Sequence, residues 1–244
     1  MSSTRTAIVL GGSGSVGLAL LRELLHDDGF GAVVTLSRRS VPEAVAMARA
    51  ADRRLVETLV PEMQPASLSA ATLAAARDVE GELEGFSVLG VGSGTAKLTL
   101  DEHRAVDVAL NEAFARALRD SGKVQHLAFM SAAAADPTAK TTGSGAAGMA
   151  RYNRVKGEAE AAVRASGPAI VSVFRPAMII GSQHTPWLLE KTLPLFSFVT
   201  PAKYRSIRVD QIAKAMIATA KRHPETSAVY HYPEMMALIA GSPR

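Results

Sequence analysis

Three glycines, Gly11, Gly14 and Gly17, stand at three-residue intervals in the segment Leu10-Gly-Gly-Ser-Gly-Ser-Val-Gly17. They lie between a β-branched run and a Leu-striped helical segment. A turn in that place can take up positive φ and bring backbone close to a pyrophosphate with no Cβ in the way. The helix start that follows offers N–H groups and a partial positive charge. The stretch from Gly11 through Gly12, Ser13, Gly14, Ser15 and Val16 to Gly17 is therefore a candidate phosphate loop, set against the plainer reading of a flexible turn. At the end of the next apolar run stands Thr35-Leu-Ser-Arg-Arg39. There an acidic residue would hold a ribose 2′-hydroxyl and a basic one a 2′-phosphate. Ser37, Arg38 and Arg39 supply hydroxyl and guanidinium donors with no carboxylate among them, so the pattern favours NADP(H) over NAD(H), against the alternative of a solvated basic turn. Further on, Tyr152 and Lys156 are four residues apart, which places a phenol and an ammonium on one face of a helix, where the positive charge favours the phenolate.

The elements that must position these groups follow from the hydropathy pattern. Short β-branched runs at Thr6 to Leu10, Gly31 to Ser37, Leu55 to Leu59, Phe86 to Gly90, His126 to Ser131, Ile170 to Arg175 and Val229 to Tyr232 alternate with Ala/Leu-rich helical stretches. That alternation predicts an α/β fold, a doubly wound parallel sheet of the Rossmann type with a small C-terminal substrate-side extension. Helices are expected at Val16 to His26, Pro42 to Ala51, Ser67 to Arg77, Asp101 to Asp120 and Tyr152 to Ser166. The Gly-, Ser- and Thr-rich stretch 136–148 reads as a mobile loop of the kind that closes over a cofactor. With 244 residues and 48% hydrophobic content, one domain spanning 1–244 is expected, in which 182–244 contributes only a minimal substrate-side region.

Composition narrows the function. Lys+Arg 27 against Asp+Glu 23 leaves +4, and the basic residues are scattered rather than gathered beside aromatics, which argues against nucleic acid as a partner. Without cysteine there is neither disulfide nor thiolate-metal site, and the six histidines have no ligand spacing, so no metal is expected. No uncharged apolar run is long enough to span a bilayer, and the default compartment is cytoplasmic.

With Tyr152-Asn-Arg-Val-Lys156 downstream of the glycine loop, the chain resembles the short-chain dehydrogenase/reductase superfamily. The resemblance covers nearly the whole length. The segments Leu89-Gly-Val-Gly-Ser-Gly94, Phe174-Arg-Pro-Ala-Met-Ile-Ile-Gly181 and Val209-Asp-Gln-Ile-Ala-Lys-Ala-Met216 are similar to the extended and atypical branch. The Ser-Arg-Arg turn, Arg154-Val-Lys-Gly-Glu-Ala-Glu160 and Val173-Phe-Arg-Pro176 look most like its Tat-interacting-protein group. That likeness implies Tyr152 as general acid or base, Lys156 as its partner and a ribose ligand, and Ser131 as orienter. It also implies that Leu89, Gly90, Val91, Gly92 and Pro176 lie along the cofactor. The family's strand commonly ends in a serine doublet whose second hydroxyl works on substrate. Here Ser131 is followed by Ala132, so Ser131 is read equally as a strand-end hydroxyl held by backbone. Thr141, Thr142 and Ser144 are possible substitutes. Asn111 is the only asparagine available for the family's helix motif.

The apolar cluster around Trp187 suits core or an oligomer contact better than a ligand wall, and His184 reads as structural or solvated. Three functions stay open. The first is an NADP(H)-dependent oxidoreductase acting on a small carbonyl or alcohol. The second is an NADPH-binding regulatory or scaffold protein with a protein partner, which Ala132 favours, and the third an epimerase- or dehydratase-like enzyme. A homodimer through the long helices is compatible with each.

Overall fold

Strand-forming runs that are apolar on both sides must be covered on both faces, and the chain does this with helices from alternate crossovers. The computed structural model describes residues 5–79, 81–92, 98–140, 147–181 and 201–241. In chain order the main strands are β1 (Arg5–Leu10), β2 (Phe30–Ser37), β3 (Arg54–Leu59), β4 (Leu83–Ser87), β5 (Val124–Met130), β6 (Ile170–Phe174) and, after a small pair β7 (Ile179–Ile180) and β8 (Ile207–Arg208), β9 (Ala228–Tyr230). They form a seven-stranded sheet in the order β3-β2-β1-β4-β5-β6-β9, and every pairing in it is parallel. This is the doubly wound Rossmann-type α/β arrangement that the alternation predicts.

Two apolar layers hold it. On one face α1 (Ser15–His26) buries Leu20, Leu21, Leu24 and Leu25 with Ile212 and Met216 of α7 (Val209–Lys221). Also on that side lie α2 (Pro42–Ala50) and α8 (Tyr232–Ala240). On the other face, α3 (Pro65–Arg77), α5 (Asn111–Asp120) and α6 (Ala147–Ser166) cover Ile8, Leu36, Leu127 and Val173. Between them a short α4 (Leu100–Arg104) runs into α5 through a π-helical segment, Ala105–Leu110. A row of polar groups also crosses the sheet. The Glu84 carboxylate and the Ser172 hydroxyl lie 3.0 and 2.9 Å from the two ring nitrogens of His126, so these buried groups satisfy one another.

Several expectations need correction. The fourth strand is Leu83–Ser87 rather than Phe86 to Gly90. Its buried pattern starts at Leu83 and Glu84, the latter admitted to the interior by His126, while Leu89 and Gly90 already belong to the turn. The helix predicted to open at Tyr152 begins at Ala147, so Tyr152 sits inside it. The expected Asp101 to Asp120 helix is interrupted by the π-helical segment. Helix α8, with Pro233 in its first turn, was not expected at all. Helix α7 packs on α1 and β9 completes the sheet, so much of 207–240 builds the core layers. Thr141, Thr142, Ser144, His184 and the Trp187 cluster lie outside the described residues. Among the described residues no helix is long and apolar enough to cross a membrane.

Candidate functional site

Parallel strands bring their C-terminal ends to one edge, and the order of this sheet reverses between β1 and β4, where the two chain segments leave in opposite directions and open a crevice. Into that edge project the glycine loop after β1, the Ser37 to Arg39 turn after β2, the Leu89 to Gly92 turn after β4, Ser131 after β5 and Pro176 after β6.

The loop is built around glycine for steric reasons. Gly11 has φ +91°, and a Cβ there would lie 2.6 Å from the Leu89 amide nitrogen. A Cβ on Gly17 would lie 2.1 Å from the Gly11 carbonyl oxygen, and one on Gly12 would meet Thr35 Oγ1 at 2.6 Å. Gly14 differs, because its nearest neighbour, the Gly11 carbonyl oxygen, is 3.7 Å from a would-be Cβ. Gly14 is exposed and caps α1 without a side-chain hydrogen bond. Ser13 is exposed, Ser15 half-buried and Val16 buried. Gly11, Gly12 and Gly17 thus fit the loop against the turn after β4, against Thr35 of β2 and against α1, while Gly14 leaves its outer face bare. This is a cradle that a Cβ would fill, and it suits the pyrophosphate of a dinucleotide. After β2, Arg38 and Arg39 are exposed, while the Ser37 hydroxyl donates to the Arg39 carbonyl at 2.7 Å and so shapes the turn.

The chemistry-bearing side chains converge at α6. Lys156 is buried, with Nζ 2.8 Å from Asp107 Oδ2 and 5.8 Å from the centre of the Tyr152 ring. The other Asp107 oxygen accepts the Val91 amide at 2.8 Å. The Tyr152 ring also stacks on His103, with the centroids 6.1 Å apart. Helix α6 is locked to the segment after β5 through Gly157, where a Cβ would come within 2.2 Å of the Pro137 nitrogen, and through the Asp136 amide, which donates to the Asn153 carbonyl. Ser131 donates its amide to Phe174, and its buried Oγ has no partner. Ala132 beside it is buried. Arg175 makes a two-point pair with Glu160 at 2.9 and 2.7 Å, which fastens the start of the Pro176 segment to α6.

Burial alone would raise the Asp107 carboxyl. The Lys156 charge, with His103 and the Val91 amide, overcomes this and brings it down to about 2. Burial likewise opposes the Lys156 charge, but Asp107 and, more weakly, Tyr152 and Glu160 hold its pKa above the ordinary lysine value. For Asp107 the folded value is the lower one. Its stabilisation is therefore present above the ordinary value of 3.8 and is lost as pH falls toward about 2. Acid unfolding of Asp107→Asn, followed by circular dichroism, is expected to show a shallower loss of stability across that interval than the parent protein.

The sequence pattern missed Asp107 and His103. A signal existed, since His103, Asp107 and Asn111 recur every four residues, a polar stripe on a helix otherwise read for its apolar side. Asn111 proves to be buried, with its side-chain amide donating to the Asp107 carbonyl at 2.8 Å and its side-chain oxygen accepting from Ser87 Oγ.

The seven-stranded parallel sheet with its crevice at the switch point is a fold shared by solved short-chain dehydrogenase/reductases. Solved structures with this fold include a short-chain dehydrogenase/reductase from Serratia marcescens, 20% identical, with 95% of this chain and 98% of that one covered and a TM-score of 0.66. Others are gox2181, at 14% identity, 96% of each chain and 0.68, and BdcA solved with NADPH, at 17%, 94% of each chain and 0.60. No protein-family model and no curated protein matches the chain.

Proposed function

We propose that this protein is an NADP(H)-dependent oxidoreductase of the short-chain dehydrogenase type that interconverts a small carbonyl compound and its alcohol. The observation that carries the proposal is the placing of Lys156 against the Gly90 turn with Tyr152 beside it, at the same sheet edge as the glycine cradle. A structural neighbour holding NADPH supports the cofactor class. Gly11 to Gly17 would hold the pyrophosphate, Arg38 and Arg39 the 2′-phosphate, and Lys156 with the Leu89 to Gly92 turn and Pro176 the nicotinamide side. The bound cofactor supplies or accepts the hydride. Tyr152 gives a proton to the carbonyl oxygen in reduction and takes it back in oxidation. Ser131, whose hydroxyl is buried without a partner, orients the reacting oxygen. The chain works as a single cytoplasmic domain of the atypical, Tat-interacting-protein-like group.

The cofactor choice is tested by titrating NADPH and NADH against the parent and an Arg38→Asp/Arg39→Ala variant, both side chains being exposed. The parent is expected to prefer NADPH, and the variant to lose about tenfold or more of that affinity, on the scale of a charge-assisted phosphate contact. Equal affinities before and after the change would remove the NADP(H) assignment.

Ala132 favours a second reading, an NADPH-binding regulatory protein with little turnover. The two part on catalysis, which the Tyr152 variant described in the Discussion measures.

A further inference from the structure

The polar groups enclosed between α6 and the helix that precedes α5 form a continuous series: the Tyr152 ring, the His103 ring, the Asp107 carboxylate and the Lys156 ammonium. We propose that Asp107 is a positioning residue for the Tyr152 and Lys156 pair. Its carboxylate seats the Lys156 ammonium and ties it to the Val91 amide of the cofactor-side turn, while His103, touching the same carboxylate, backs the Tyr152 ring. This rests on the proposed function in taking Tyr152 and Lys156 as the working pair.

The geometry leaves the lysine no other direct counter-charge among the described residues. Glu160, on its own helix one turn along, is committed to Arg175 through both oxygens. Tyr152 presents its ring rather than a carboxylate. Asp107 alone meets Nζ, at 2.8 Å, and neither side chain has more than 3% of its surface exposed. Its two oxygens divide the work, one taking Lys156 and the other the Val91 amide. One carboxylate thus fastens α6 to the turn that also carries Leu89 and Gly90. That turn is shaped for the pair, because a Cβ on Gly90 would sit 2.8 Å from Lys156 Nζ and 3.2 Å from Asp107 Oδ2. The π-helical segment places Asp107 there, and such insertions recur at working sites.

His103 completes the arrangement. It is wholly buried, and its Nε2 lies 3.5 Å from Asp107 Oδ2, at the outer limit of a hydrogen bond. Such a group is costly to bury, and what it contributes is a flat surface against Tyr152. A buried ion pair is also poor value as stability, since apolar residues of similar size often do as well, so its merit lies in fixing one geometry.

The test is Asp107→Asn, which keeps an oxygen for the Val91 amide and removes the charge. In the cofactor-free protein with lysine labelled at Cε, the Lys156 carbon resonance is identified by its loss in Lys156→Met and followed against pH. Burial with the counter-charge gone is expected to lower its titration midpoint by about one unit or more, and an unchanged midpoint overturns the pairing. In NADPH titrations Asp107→Asn is expected to bind roughly tenfold more weakly, and Asp107→Asn/Lys156→Met no more weakly than Lys156→Met alone. Penalties that simply add would mean Asp107 does not act through Lys156. If Asp107→Asn fails to fold while the double variant folds, the stranded lysine charge is the cause and the pairing stands. Two equally unfolded variants overturn it. A parent protein that does not bind NADPH at all removes the proposed function, and the lysine titration then still judges the pair.

Discussion

Gly14→Ala is expected to weaken NADPH binding about a hundredfold, or about 2.7 kcal/mol, while shifting the melting temperature by no more than about 2 °C, consistent with the few tenths of a kcal/mol that separate Gly from Ala at a comparable cap. The contrast arises from where the new methyl goes. Inside the protein it meets only the Gly11 carbonyl oxygen at 3.7 Å, an ordinary contact, and Gly14 has φ −78°, which alanine adopts freely. Outside, it occupies the bare face of the loop that the proposed function gives to a pyrophosphate. Gly17→Ala is the opposite case, since its methyl strikes the Gly11 carbonyl oxygen at 2.1 Å and Gly12 backbone at 2.8 Å. It should cost about 3 kcal/mol of folding stability as well as the cofactor, because backbone on both sides has to move. Isothermal titration and thermal melts of the two variants separate these effects. A Gly14→Ala protein that binds NADPH as the parent does would show that the loop is a turn and nothing more.

Tyr152→Phe is expected to lower turnover by about a thousandfold, the usual scale for losing a positioned acid or base, and to leave NADPH affinity within about threefold. The substitution removes one oxygen and keeps the ring that stacks on His103, so packing around Lys156 is retained. Oxidation of NADPH is followed by absorbance over a panel of small aldehydes and ketones, with binding measured in parallel on the same preparations. Loss of rate with binding intact assigns the proton to Tyr152. No oxidation by the parent on any member, with NADPH bound tightly, would favour the regulatory reading that Ala132 suggests. Equal rates in parent and variant would remove Tyr152 from the chemistry.

The features readable in the sequence are those set by short-range steric and periodic rules. The number and order of the main strands follow from short apolar runs, most of them β-branched, α1 from Leu20, Leu21, Leu24 and Leu25 at helical spacing, and the loop from glycines placed where a strand must turn into a helix. The spacing of Tyr152 and Lys156 on one helical face is of the same kind, since it needs only the pitch of an α-helix. Boundaries failed where a polar residue was admitted to the interior by a partner far along the chain, as with Glu84, whose burial depends on His126 forty-two positions away. Asp107 and His103 were missed for a related reason. A charged residue within a helix reads as solvent-facing until the π-helical segment and the arrival of α6 bring Lys156 onto it. By itself the sequence determined the layered α/β fold, the glycine loop and the helical face shared by a phenol and an ammonium, because each depends on neighbours within a few residues. Only the tertiary structure decided which carboxylate faces Lys156, which ring backs Tyr152 and which hydroxyl stays buried without a partner, because those contacts join segments that meet only when the sheet closes.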